Sequence, residues 1–164
     1  MGEKIELKAV TIKPPEGIQL ILGQSHFIKT VEDLYEALIT SSPSIKFGVA
    51  FCESSGPALV RFDGNDEELI KVAVECACNV AAGHFFVVTL KDCYPINVLN
   101  RIKMVDEVAN VFCATGNPVE VILAETDQGR GVLGVIDGIS SKGVENYKEK
   151  EKRLKFLRDI GYKR

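Results

Sequence analysis

The residues best suited to chemistry gather around one of only two histidines, in the segment Gly23-Gln24-Ser25-His26-Phe27-Ile28-Lys29-Thr30. Thr30 is a good helix N-cap, and Glu32 and Asp33 follow where a first turn favours acids. Val31, Leu34, Tyr35 and Leu38 then recur at helical spacing, which predicts a helix over about residues 31–39. A helix start presents free backbone N–H groups and partial positive charge, a setting that holds phosphate. A histidine placed just before it, with Lys29 beside it, can bind an anion or carry a phosphoryl group on a ring nitrogen. The competing account is a surface or capping histidine bonded to a neighbouring carbonyl.

Four other places carry chemical side chains. His84 follows a helix end and opens an apolar strand; it is either functional or a buried histidine satisfied by backbone. Ser54 and Ser55, in Glu53-Ser54-Ser55-Gly56-Pro57, sit at a strand end, where loops of layered α/β folds line ligand crevices. Their hydroxyls suit a phosphate or a ribose, or belong to a plain polar turn. Arg130, between Gly129 and Gly131, suits bidentate phosphate binding with close backbone approach, or a hairpin tip. Asp137, before Gly138, suits an acid–base group, a ribose ligand or a turn. The phosphate-binding signatures G-x-x-x-x-G-K-[ST] and G-x-G-x-x-G do not occur, nor does G-x-S-x-G. No metal-ligand cluster stands out, and nothing in the sequence calls for a cofactor.

The elements that must position these residues alternate in type. Residues 4–12 read as a strand covered through Ile5, Leu7 and Ala9, turning at Pro14-Pro15-Glu16-Gly17 into a second strand over 18–22, as a hairpin. Strands over 45–52 and 58–62 lead to a helix capped by Asn65 or Asp66, rich in small residues and stopped by Gly83. Residues 84–90 read as a central strand buried on both faces. A third helix is expected from Pro95 to about Cys113, then strands over 119–125 and 132–136. A solvated amphipathic helix over about 143–160 closes the chain, docked through Leu154, Phe156, Leu157 and Ile160. The whole reads as one α/β domain over 1–164, a layered fold with a mixed sheet and helices on both faces.

Composition narrows the partners. The chain has 164 residues, 46% hydrophobic and 26% charged, with a net charge of -3. That suffices for one core and implies no broad basic face, so nucleic acid is not the expected partner. No signal-peptide pattern or bilayer-length apolar run is present, so a cytoplasmic protein without a membrane partner is expected. Five cysteines without framework spacing read as free thiols in a reducing compartment.

Taken in order, several motifs resemble the archaeal and bacterial adenosine-specific kinase family. They are Ser25-His26-Phe27-Ile28-Lys29-Thr30-Val31-Glu32-Asp33-Leu34-Tyr35, Phe47-Gly48-Val49-Ala50-Phe51-Cys52-Glu53-Ser54-Ser55-Gly56, Ala82-Gly83-His84, Pro95-Ile96-Asn97, Gly116-Asn117-Pro118-Val119-Glu120, Gly129-Arg130-Gly131 and Leu133-Gly134-Val135-Ile136-Asp137-Gly138. The resemblance runs nearly the whole chain. It implies a three-layer α/β/α domain, binding of adenosine and AMP, a stable phosphohistidine, and a homo-oligomer, with a trimer favoured. The helix-start argument puts the phosphoryl group on His26, with His84 as the second choice. Ser54, Ser55 and Asp137 would hold polar groups of the nucleoside, and Lys29 and Arg130 would neutralise phosphate. Two other readings remain: a non-catalytic adenosine or AMP binding module, and an oligomeric assembly protein.

Overall fold

The computed structural model describes residues 4–164, so the first three residues of the expected domain lie outside the described ones. A five-stranded sheet runs in the order β4 (Val60–Gly64), β3 (Lys46–Cys52), β5 (Phe85–Lys91), β2 (Gln19–Ser25), β6 (Val108–Thr115). A three-stranded sheet runs β1 (Glu6–Ile12), β7 (Val119–Thr126), β8 (Gly129–Asp137). Every strand pairing is antiparallel, so the expected mixed sheet is corrected. α1 joins β2 to β3 and α2 joins β4 to β5, but each crossover passes over an antiparallel strand, β5 and β3 respectively, so no neighbouring pair is parallel.

Two apolar clusters lie on the two faces of the large sheet. Phe47, Val49, Phe51, Phe86, Val88 and Leu90 point to one face. There they pack under Val31, Leu34 and Leu38 of α1 (Thr30–Ile39) and Ile102 of α3 (Leu99–Lys103). Alternate residues Ala50, Cys52, Phe85 and Val87 point to the other face. That face is covered jointly by α2 (Glu67–Val80) and by Val119, Val121 and Leu123 of the small sheet. The α/β class holds, with two antiparallel sheets and a second face shared by a helix and a sheet. β3 and β5 are buried on both faces, so their apolar runs are nearly unbroken.

α2 lies close because its buried stripe is Leu69, Ala73, Cys76, Ala77 and Val80. A Cβ at Gly48 would stand 2.4 Å from the main chain at Leu69 and Ile70, so only glycine fits beneath the helix. Asp66 caps α2 by accepting the Leu69 N–H at 3.1 Å. Asn65 instead ties two strands, accepting from Phe47 N–H at 2.9 Å and donating to the Ile45 carbonyl at 2.8 Å. The helix stops at Ala81 in the left-handed conformation, two residues before the expected glycine.

Four local expectations change. The first two strands do not form a hairpin: β1 pairs with β7, and β2 lies between β5 and β6. Along β1, Val10 and Ile12 face the core, while Ile5 and Leu7 are 64% and 71% exposed, the reverse of the expected face. The third helix ends at Lys103; after a turn the chain becomes β6. Val105, Val108 and Val111 fit a helical stripe, but β-branched side chains also favour strands, and the open edge of β2 supplies the partner. The C-terminal helix forms as α4 (Tyr147–Asp159), capped by Asn146, yet none of its residues is buried. Its contact with the body is made further on, where the Tyr162 hydroxyl accepts from Asn97 at 3.3 Å and the ring meets Tyr94.

Candidate functional site

Antiparallel pairing brings three chain segments to one end of the large sheet. β2 ends beside the start of β5, with Gln24 opposite Phe85, and β3 ends on the other side of β5, with Phe51 opposite Phe86. The residues just beyond those ends are therefore neighbours: His26 after β2, His84 before β5, and Ser54 and Ser55 after β3. Backbone bonds fasten them: Ser25 N–H donates to the His84 carbonyl at 3.0 Å, and His84 N–H to the Cys52 carbonyl at 2.8 Å.

The two imidazoles meet edge to face, with ring centres 6.1 Å apart. His84 stacks on Phe51 at 5.7 Å. With Phe27, Ile28, Glu53, Ser54 and Ser55 they line a cavity of about 300 Å³. Both histidine segments hold unusual backbone. Phe27 has φ 84° and His84 φ 62°, left-handed values that bulky side chains adopt only when their surroundings enforce them. Such strain concentrates at functional sites. At the first, Thr30 does the enforcing. It is the first residue of α1 rather than its cap, fully buried, and its hydroxyl donates to the Phe27 carbonyl at 2.6 Å.

Glu53 anchors the serine loop by accepting from Arg61 at 2.9 Å and from Leu59 N–H at 3.2 Å. Ser54 also lines a second cavity of about 480 Å³ with Gly83, Thr126, Gln128, Arg130 and Gly131. A Cβ on Gly83 would come within 2.9 Å of Ser54 Cβ, so the two chains touch where the cavities meet. Arg130 reaches this place from the β7–β8 turn. Its Nε pairs with Glu125, and its Nη1 donates at 3.3 Å to the carbonyls of Asn79 and Val80, the negative end of α2. Lys8 pairs with the same Glu125, and these two cations hold its carboxyl below the usual range.

His26, His84, Ser54 and Ser55 thus share one cavity, and Arg130 stands in the adjoining one. Two sequence candidates stand elsewhere. Lys29 lies outside both linings; Asp33 takes its ammonium at 2.5 Å and Glu107 lies 3.5 Å from it, which raises the lysine above its ordinary value. Asp137 sits at the far end of β8, accepting from Thr115 at 2.8 Å and Asn117 at 3.1 Å, where it closes the β6–β7 turn. Arg130 and Asp137 are seven residues apart on one strand, about 23 Å. Sequence reasoning passed over Phe27, Phe51 and Glu53, whose roles come from backbone geometry and stacking. It also passed over Glu107, hidden within an expected helix. Among the described residues, no three metal-ligating side chains converge, and no helix is long and apolar enough to cross a membrane.

A family model described as adenosine specific kinase matches residues 10–163. A solved structure, the PH1918 protein from Pyrococcus horikoshii OT3, is 44% identical with a TM-score of 0.93, covering 98% of this chain and 99% of its own. No curated protein matches.

Proposed function

Since the chain belongs to the adenosine specific kinase family, we propose that it binds adenosine or AMP in the two cavities that meet at Ser54 and moves a phosphoryl group through His26. The observation that carries this is the pairing of His26 and His84, delivered by different strands to one cavity with two serine hydroxyls. His26 is the more exposed imidazole, open to an incoming phosphoryl donor, whereas His84 is held against Phe51.

The chemistry runs in two balanced steps. A ring nitrogen of His26 attacks the phosphorus of a phosphate ester or anhydride; a P–N bond forms and the P–O bond to the leaving group breaks. The ribose 5′-hydroxyl oxygen then attacks that phosphorus, the P–N electron pair returns to the imidazole, and His84 takes the hydroxyl proton. Ser54 and Ser55 donate to phosphate oxygens, and Arg130 supplies positive charge at the nucleoside end. Lys29 and Asp137 take part only if a ligand or a second copy draws them in.

We also infer a homo-oligomer in the cytoplasm, with a trimer favoured. Support comes from apolar surface one copy leaves open: Ile5, Leu7, Leu133 and Ile136 on the small sheet, and Ile139, Val144 and Tyr147 before and at α4. The free thiols fit a reducing compartment, and the net charge of -3 fits a small-molecule ligand better than nucleic acid.

Intact-mass measurement and peptide mapping at neutral pH, with adenosine titration by calorimetry, test the proposal. The expected result is one phosphate on the His26 peptide, lost in His26→Ala and kept in His84→Ala. Phosphate on His84 moves the site. An unmodified protein that still binds adenosine after incubation with nucleotide and ester donors leaves the non-catalytic binding module instead.

A further inference from the structure

Behind the His26 segment lies a carboxyl that the proposed chemistry does not use. Glu107 ends the turn between α3 and β6 and is only 6% exposed. Its main-chain carbonyl accepts the His26 N–H at 2.7 Å. Its side-chain Oε1 and Oε2 are both buried without a hydrogen-bond donor. The Lys29 ammonium stands 3.5 Å from Oε1, but its close bond at 2.5 Å is to Asp33 Oδ2. The Asp33 carboxyl, from the first turn of α1, therefore shares this ammonium with Glu107, and their two oxygens stand within about 6 Å of each other. These are the titratable groups that face it; Asp106, next in the chain, borders the outer groove with Asp33 and Glu36.

Two carboxylates around one ammonium, one of them buried and without a donor, do not both stay ionised. One proton settles both groups. Carried by Glu107, it supplies the missing donor, and Asp33 accepts it while remaining ionised beside Lys29. The titration directions agree. Burial first, then the neighbouring Asp33, pushes Glu107 above the usual carboxylate range, and the Lys29 hydrogen bond holds Asp33 below its own.

We propose that Glu107, as a neutral acid donating to Asp33, is a positioning residue that holds residues 26–30 and so sets the place of the His26 ring opposite His84. The proposal rests on His26 being the reactive group. Glu107 grips the segment twice, through its carbonyl on the His26 N–H and through the shared proton on Asp33, four residues beyond Lys29. Between the two grips lies Phe27 in its left-handed conformation, which needs holding from both sides. When the proton leaves, Glu107 and Asp33 repel, and the start of α1 parts from the α3–β6 turn. The reactivity of His26 then changes at a pH set by a carboxyl rather than by its own imidazole.

Acylation by diethyl pyrocarbonate, read peptide by peptide for His26 and His84 from about pH 5 to about pH 9, tests this without a substrate. The expected wild-type result is a second step in the His26 profile that His84 does not share. In Glu107→Gln the amide donates to Asp33 and cannot titrate, so that step is lost. In Asp33→Asn the amide donates to Glu107, which then ionises in its usual range, so the step moves to lower pH. A wild-type profile without a second step overturns the proposal. So does a step that survives Glu107→Gln, one unmoved by Asp33→Asn, or one shared equally by His84. If His26 accepts no phosphate while the step behaves as stated, the proposed chemistry fails and the positioning role stands.

Discussion

Gly83→Ala separates the site from the scaffold. Gly83 has no left-handed φ, so the added methyl meets only its neighbours, of which the nearest is Ser54 Cβ at 2.9 Å. Ordinary carbon contact is about 3.6 Å, so Ser54 must retreat by ~0.7 Å. Ser54 lies on an exposed loop between β3 and β4, and the loop gives way more readily than the sheet. The expected cost to folding is about 1 kcal/mol, a fall of roughly 2–4 °C in Tm. At the site the same shift moves a hydroxyl shared by both cavities. A displacement of that size costs up to about 100-fold where groups must be placed accurately, so adenosine affinity should fall at least tenfold, about 1.4 kcal/mol. Gly48→Ala is the counterpart: its methyl meets α2 main chain at 2.4 Å, which no loop relieves, and it should cost about 3 kcal/mol or more. Thermal melts and adenosine calorimetry on both variants decide the matter. A folded Gly83→Ala protein with wild-type affinity would remove Ser54 from the binding site, and one destabilised as much as Gly48→Ala would refute the loop argument.

Other outcomes follow from the charges, the thiols and the arm. Between the ordinary Glu value and the raised folded value of Glu107, the folded chain keeps a proton that the unfolded chain has lost. Stability therefore declines as pH rises through that window, and urea midpoints of Glu107→Gln should show a flatter decline than wild type. Asp33, held low, acts oppositely: its contribution fades only as pH falls below the usual Asp range. Iodoacetamide at neutral pH should label exposed Cys78 first and spare Cys52, buried and pushed up to about 12, and Cys76, at about 11; early labelling of Cys52 would contradict the packing under α2. Removing residues 143–164 should leave the core fold intact by near-ultraviolet circular dichroism, since no α4 residue is buried, while sedimentation should report a smaller assembly if the arm binds a neighbouring copy.

The elements most legible in the sequence were those whose local signals agreed with their surroundings. α1 and α2 announced themselves by apolar spacing and acidic first turns, and β5 by an unbroken apolar run. β6 was not legible, because Val105, Val108 and Val111 satisfy either period and only the free edge of β2 decides between them. The facing of β1 was hidden for a related reason: Leu7 and Ile5 look like core residues but point away from it. Both histidines and both serines were visible as residue types, but the resemblance offered His26 and His84 only as alternatives and did not bring them together. Their meeting depended on the order of strands, which no local signal encodes. Glu107 was invisible, since a carboxyl in an expected helix gives no sign that it will be buried.

The strand order also bears on when the site comes into being. β2 leaves the growing chain early, yet its two neighbours, β5 and β6, arrive some sixty and eighty-five residues later. Until β5 is in place His26 has no His84 opposite it, and until the α3–β6 turn closes its N–H has no Glu107 carbonyl. Pairings across such long stretches of chain are slow to form because loop closure precedes any gain in contact. The pairing of His26 with His84 is thus organised only late in folding, and chains interrupted before residue 107 emerge without the Glu107 carbonyl that holds the His26 N–H, whatever the state of their earlier strands.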